Sequence, residues 1–152
     1  MDKFRSFVTE EKQESYRVVV LSNDSTTAQR IEDEAKKLKY PYYIAPFNGT
    51  YTVYDGGRRT IHKQDDDRGF EINTADTVVF VRGTPERDSC LDLITQLQRA
   101  GYCVVNSRQA LETATDKYRS YLKLKDFGLT QPKTVLVPNK ETIESAFNAL
   151  DT

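Results

Sequence analysis

Histidine occurs once in this chain, at position 62, and cysteine twice, at positions 90 and 103. So sparse a set makes a structural zinc site implausible, because zinc of that kind takes about four Cys or His ligands. Cys90 falls on a predicted helix and Cys103 on a predicted strand, both at apolar positions. Two reduced core thiols in a cytosolic protein are expected, in preference to a disulfide or a metal pair. No stretch approaches the roughly 20 apolar residues of a membrane span, and the N-terminus has no apolar signal core. Charge of either sign is not in excess: 22 basic residues face 23 acidic ones, for a net charge of −1. That balance gives no electrostatic footprint for nucleic acid or an anionic membrane.

The familiar chemistries of α/β proteins are missing too. A dinucleotide fold needs glycines after its first strand, so that the backbone can approach the pyrophosphate. Here the turn is Ser22-Asn23-Asp24-Ser25-Thr26, without glycine. No G-x-x-x-x-G-K-[ST] phosphate cradle occurs. A phosphorelay receiver would carry an aspartate at the end of the strand Thr77–Val81, where this chain has Arg82. No G-x-S-x-G elbow is present for a serine hydrolase, and the lone His62 sits in a predicted hairpin, where exposure is expected.

What is present is the rhythm of a small α/β domain. The 152 residues fit one compact domain and a short piece of a second. Residues 1–15 form a polar leader in which Phe4, Phe7 and Val8 stand at helical spacing, compatible with a short amphipathic helix or with disorder. Arg17–Ser22 (RVVVLS) reads as a strand covered on both faces, as in a parallel sheet. Asn23, Asp24 and Ser25 supply N-cap chemistry for a helix whose apolar stripe is Ala28, Ile31, Ala35 and Leu38. Tyr40–Phe47 reads as a second strand. Asn48-Gly49 and Asp55-Gly56-Gly57 then bracket a β-hairpin inserted over 50–63, and Gln64–Gly69 is a polar loop.

The alternation resumes with the strand Thr77–Val81 and a helix over Pro85–Ala100, with Cys90, Leu91, Ile94 and Leu97 facing inward. Gly101 is its C-cap, and Tyr102–Val105 is the next strand. Single helices between strands imply parallel pairing. Residues 16–106 are therefore expected to form a Rossmann-like parallel sheet flanked by helices. Residues 107–152 begin another unit: a short helix capped by Ser107, a longer one from about Thr115 to Phe127, a strand Lys133–Val137, and a final helix capped by Asn139.

Ligands bind parallel sheets outside the carboxyl ends of the strands. The polar groups at those ends are Asn23, Arg82 with Gly83, and Asn106 with Ser107. A guanidinium directly after a buried strand can take a carboxylate or phosphate bidentately, or it can pair with a loop acid such as Asp24.

The run from Asp76 to Val137 resembles ATP-grasp ligases of the RimK and glutathione-synthetase-like type. The resemblance rests on TVVFVRG at Thr77–Gly83, VVNS at Val104–Ser107, and the spacing from Asp116-Lys117 through Gly128 and Pro132 to Thr134. It implies an N-terminal, pre-ATP-grasp domain of an enzyme that activates a carboxylate with ATP to an acylphosphate, which an amine then attacks. Arg82, Gly83, Asn106, Ser107 and Asn23 would face a small-molecule or peptide carboxylate substrate, and Lys117 would lie near the nucleotide phosphates or serve as a solvated helix lysine beside Asp116. ATP and magnesium are expected for a full-length ligase, whose nucleotide lobe would be supplied in cis or in trans. Residues 1–152 carry no glycine-rich lid or acidic magnesium ligands, so this segment alone is not expected to be a ligase. It would be either a fragment of a longer enzyme or a natural truncation.

A second resemblance, of Met1–Lys12 (MDKFRSFVTEEK) to the leaders of internal head proteins of large tailed phages, implies a different outcome. The alternative to a ligase domain is a non-enzymatic Rossmann-like binding or interaction module that self-associates through residues 107–150, either a packaged phage protein, as the leader resemblance implies, or a subunit completed by another chain.

Overall fold

A computed structural model of the chain describes residues 16–85 and 88–151. The leader over 1–15, with its alternative readings, lies outside the described residues, as do 86–87; Pro85, the expected start of the second helix, is described and is not helical. The protein is α/β: a parallel four-stranded sheet is flanked by helices, and a separate antiparallel sheet of three strands is inserted between the second and third parallel strands.

The parallel sheet takes β1 (Arg17–Ser22), β2 (Tyr42–Ala45), β6 (Thr77–Arg82) and β7 (Cys103–Val105) in the order β2-β1-β6-β7. Register runs Val18 to Tyr42 on one side of β1, and Arg17 to Thr77 through Ser22 to Arg82 on the other. Central placement explains the continuous β-branched run of β1, since Val19, Val20 and Leu21 are wholly buried. Each such side chain contributes about 1.5–3 kcal/mol of burial. Pro41 and Pro46 bracket β2 more tightly than the YPYYIAPF pattern suggests, because proline cannot donate to a ladder.

Helix α1 (Ser25–Lys37) follows β1 and starts at Asp24, whose carboxylate accepts from the Thr26 and Thr27 backbone N–H groups at 3.0 and 3.4 Å. Ala28 and Ala35 are buried with Val18 and Val20, and Ile31 and Phe80 pack against that cluster. Leu38 departs from the expected stripe. It is the C-cap of α1, 57 % exposed, because the chain leaves the helix there and turns through Lys39 at φ +58°.

Helix α2 (Asp88–Arg99) buries Cys90, Leu93, Ile94 and Leu97. Leu93 takes the inward place expected of Leu91, which is only half-buried. Gly101, at φ +89°, closes the helix as a C-cap glycine should. Cys103 corrects the expectation of two core thiols: both cysteines are free, but only Cys90 is buried. Among the described residues β7 pairs with β6 alone, and this edge position leaves the Cys103 side chain in solvent.

In the inserted sheet, β3 (Tyr51–Asp55), β4 (Arg58–His62) and β5 (Phe70–Ile72) lie in sequence order. Asp55 pairs with Arg58 across Gly56 and Gly57, both at positive φ, as a tight two-residue hairpin turn requires. The third strand, β5, is an addition to the expected hairpin. His62 is half-buried rather than exposed. Its Nε2 lies 2.8 Å from the Thr60 hydroxyl, and its Nδ1 donates to the Asp66 carbonyl at 3.1 Å. The Tyr51 ring stacks on it.

The chain divides into two compact units, one up to Arg108 and one from Gln109. The second holds most of α3 (Arg108–Thr115), then α4 (Lys117–Asp126), a 3-10 turn over Lys140–Thr142, and α5 (Ile143–Asp151). Asp116 caps α4 by accepting from Arg119 N–H, and Asn139 caps the 3-10 turn by accepting from Thr142 N–H. The expected strand Lys133–Val137 does not form. The run has β-branched residues but no neighbouring strand among the described residues, and a strand without a ladder partner is not stable.

No helix among the described residues is long and apolar enough to cross a membrane.

Candidate functional site

The order β2-β1-β6-β7 reverses direction at β1, so the crevice between the carboxyl ends of β1 and β6 is the switch point where open α/β sheets hold ligands. Register puts Ser22 opposite Arg82 there, with Asn23 and Gly83 one residue beyond.

Asn23 is structural on one side. Its Oδ1 accepts the Phe47 N–H at 3.1 Å, tying the end of β1 to the chain after β2. Cys90 Sγ, 3.6 Å from the Phe47 carbonyl, braces the same residue from α2. The Asn23 Nδ2 group remains without a partner among the described residues. Ser22 folds the turn back on itself, its hydroxyl accepting from Asp24 N–H at 2.9 Å and donating to Asp24 C=O at 3.0 Å. Asp24 is committed to the cap. The Thr27 hydroxyl at 2.6 Å, then the Thr27 backbone N–H, hold its carboxyl below the ordinary carboxylate range, and the Arg82 charge is a lesser contributor.

Arg82 ends β6 exposed and forms no ion pair with a described residue. The expected alternative, an Arg82–Asp24 pair, is thus not made; the cap has already taken the carboxylate. Gly83 follows at φ +89°, a conformation that favours glycine, and a Cβ there would meet only Phe47 Cε2 and Asn23 N, at 3.9 and 4.0 Å. Asn106 turns the chain after β7 at φ +67°, and its Nδ2 donates to Val81 C=O at 2.7 Å. This bond satisfies the last carbonyl but one of β6 and fixes the Asn106 turn beside Arg82. Ser107 comes next, directly before α3.

Asn23, Arg82, Gly83, Asn106 and Ser107 therefore gather at one end of one sheet. Lys117 is placed otherwise: it is the exposed first residue of α4, in the second unit. The gathered groups are suited to holding an anion, through the guanidinium, the Gly83 backbone and side-chain amide or hydroxyl donors. Among the described residues no cluster of three His, Cys, Asp or Glu side chains is placed to hold a metal ion.

Sequence reasoning overlooked the anchoring of Phe47 by Asn23 and Cys90, which no spacing rule reveals. It also overlooked Arg59, which lies on the inserted sheet beside two tyrosines. The alternation R-T-I at Arg59–Ile61 was the available signal, because it puts Arg59 on the same face as a core isoleucine. No protein-family model matches the chain, and no curated protein matches it.

Proposed function

We propose that the first unit is a carboxylate-binding domain of an ATP-dependent carboxylate–amine ligase of the ATP-grasp type, with Arg82 as the anion-binding group. The observation that carries this reading is Arg82 itself: an exposed guanidinium at the switch point, left without a carboxylate by the capping role of Asp24. Gly83 leaves the backbone beside it open, and Asn106 holds the adjoining turn. In such an enzyme the ATP and magnesium would be held by a nucleotide lobe, in cis or in trans, and the domain would supply orientation of the acid rather than bond-making. A cytoplasmic location goes with this reading, as do the two free thiols.

The test is a titration of the chain with glutamate and with a short peptide acid, followed by backbone amide shifts. Saturable shifts at Asn23, Gly83 and Ser107 are expected, weakened about tenfold in Arg82→Ala, the worth of one charge-assisted hydrogen-bond pair. Shifts unaltered by Arg82→Ala would refute the assignment.

A second reading has its own observation. In the second unit Leu136, Ile143 and Phe147 are 59 %, 54 % and 62 % exposed, and Phe127 is 72 % exposed. Apolar side chains in that number suit an interaction module, including a virion-associated one. Analytical ultracentrifugation separates the two: a concentration-dependent dimer abolished by Phe147→Asp favours the module, and a monomer at all concentrations counts against it.

A further inference from the structure

A groove of about 300 Å³ opens beside the inserted sheet, within the first unit and away from Arg82. Its walls are Tyr54 and Arg58-Arg59 from the hairpin, Glu71 with Ile72 from β5, the turn Asn73-Thr74 that leads into β6, and Tyr102 at the entry to β7; the Glu71 carboxylate is held by Arg58. These are residues before the parallel strands begin, so the groove lies at the amino end of the sheet, whereas Arg82 lies at the carboxyl end.

Arg59 is the unusual member. Strand alternation puts it on the face of β4 that carries Ile61, which is wholly buried, and its cross-strand neighbour on β5 is Ile72, 3 % exposed. A hydrophobic residue is the ordinary occupant of that position; here a half-buried guanidinium stands there. It lies 5.3 Å from the Tyr54 ring centre and 5.6 Å from that of Tyr102. Tyr54 is placed by pairing, directly opposite Arg59 across the hairpin, and Tyr102 by a hydrogen bond from its hydroxyl to Ile72 C=O at 3.3 Å.

Local charge is not balanced. Glu71 takes Arg58 through Nε at 2.9 Å and Nη2 at 2.6 Å, and also lies 3.6 Å from Arg17. Asp76 is engaged by Arg17 at 3.5 Å. Three guanidiniums thus share two carboxylates, and neither carboxylate forms an ion pair with Arg59. Two tyrosine rings give a partly desolvated guanidinium some compensation, but they carry no formal charge. These ring contacts, and a hydrogen bond to the Tyr102 hydroxyl, occupy only part of the five N–H donors of the guanidinium and leave others for an oxyanion.

We propose that this groove is a binding site for a small organic acid or phosphate ester, with Arg59 as the group that takes the carboxylate or phosphate and Tyr54 and Tyr102 as the walls for its organic part. The volume is at the lower end of that for small-molecule sites, which fits a compact ligand. Thr74 offers a further polar side chain at the rim, whereas the Asn73 backbone is committed to Asp76 and Thr77. The site is independent of the ligase reading, since it shares no residue with the Arg82 crevice.

The experiment is an amide-shift titration of the whole chain with phenyl phosphate, benzoate and inorganic phosphate as separate probes. Saturable shifts at Gly57, Arg59 and Thr74 are expected with phenyl phosphate or benzoate, and whichever is tighter identifies the acid. Inorganic phosphate, without a ring, binds more weakly. Arg59→Gln lowers the affinity about tenfold, as loss of a charge-assisted pair does, whereas Arg82→Ala leaves it unchanged. Tyr54→Ala, at a position 68 % exposed and therefore tolerant, weakens the ring-bearing probes and spares inorganic phosphate. The proposal is overturned if no probe saturates at millimolar concentration, if Arg59→Gln binds as the parent chain does, or if the shifts centre on Gly83. If Arg59→Gln only lowers thermal stability and the parent chain binds none of the probes, Arg59 is a fastener between two tyrosines and the site does not exist.

Discussion

Replacing Gly69 with alanine tests the packing of the inserted sheet at its tightest point. Gly69 has φ +63°, and a Cβ built on it would stand 2.7 Å from Nδ1 of the His62 ring and closer still to the neighbouring ring atoms. Two costs combine. Left-handed backbone costs an alanine about 1–2 kcal/mol, which glycine does not incur. The steric cost depends on whether the imidazole can retreat. It is held by the Thr60 hydroxyl, by the Asp66 carbonyl, and by Tyr51, whose ring centre lies 5.1 Å away and nearly parallel. Moving it breaks a hydrogen bond worth about 1 kcal/mol and part of a stack worth about as much. Gly69→Ala should therefore lose about 2–4 kcal/mol, read as a fall in the urea midpoint. Gly56→Ala is the control: its φ is +52° and no heavy atom comes within 4 Å of the added Cβ, so only the backbone cost of about 1–2 kcal/mol applies. His62→Ala combined with Gly69→Ala isolates the contact, because without the ring the second substitution should cost no more than the control. Equal midpoints for Gly69→Ala and Gly56→Ala would refute the reasoning, and so would a cycle without coupling.

Thiol chemistry should divide the two cysteines: Cys103 reacts with a disulfide reagent in the native protein and Cys90 only on unfolding, so two fast equivalents would contradict the burial of Cys90 at 3 % exposure. Acid should loosen the inserted sheet selectively. Asp66, held down by the Tyr43 hydroxyl, and Glu71, held down by Arg58, both have folded-state carboxyls below their ordinary values of 3.8 and 4.5. Depressed carboxyls stabilise the fold above the ordinary value and lose that contribution as pH falls through the folded one. Stability should then decline below about pH 4.5, less steeply in Asp66→Asn, with urea midpoints across that range as the measurement.

Much of the first unit was legible because its signals are local. The β-branched run of β1 predicted a covered strand, Asp24 sits where an N-cap belongs, and Asp55-Gly56-Gly57 specified a turn that only positive φ can make. The misreadings arise where the outcome depends on a partner. KTVLV has the composition of a strand but no ladder to join among the described residues, and FEI at Phe70–Ile72 is too short to signal one yet pairs with β4. Cys103 looked like a core position because its neighbours are apolar; only the sheet order, which makes β7 an edge, exposes it. Leu91 and Leu93 exchanged places for a related reason, since an apolar stripe on a helix fixes its facing only to within a residue or two. At the carboxyl end of the sheet, the sequence placed Asn23, Arg82, Gly83 and Asn106 at strand ends, but not the Asn106 bond to Val81 that fastens one end to the next.

Arg82 and Arg59, neither of which forms an ion pair with a described carboxylate, carry different physical weight. Arg82 is exposed, so water solvates its charge whether or not a ligand arrives, and its lack of a partner costs the fold little. Its meaning derives from position, at the switch point of the sheet. Arg59 stands half-buried beside two rings on a face otherwise given to isoleucine, where a charge forfeits part of its hydration and an apolar residue would stabilise the fold more. A residue that works against the core needs compensation from elsewhere, and an oxyanion in the groove is the compensation that its charge, its donors and the neighbouring arginines have in common. The comparison can be made directly: stability of the ligand-free chain should be nearly indifferent to Arg82→Ala, whereas Arg59→Met should preserve or raise it while weakening anion binding at the groove about tenfold, as Arg59→Gln does. A large loss of stability in Arg59→Met would mean that the tyrosine contacts alone account for the guanidinium, and nothing about a ligand could then be read from its burial.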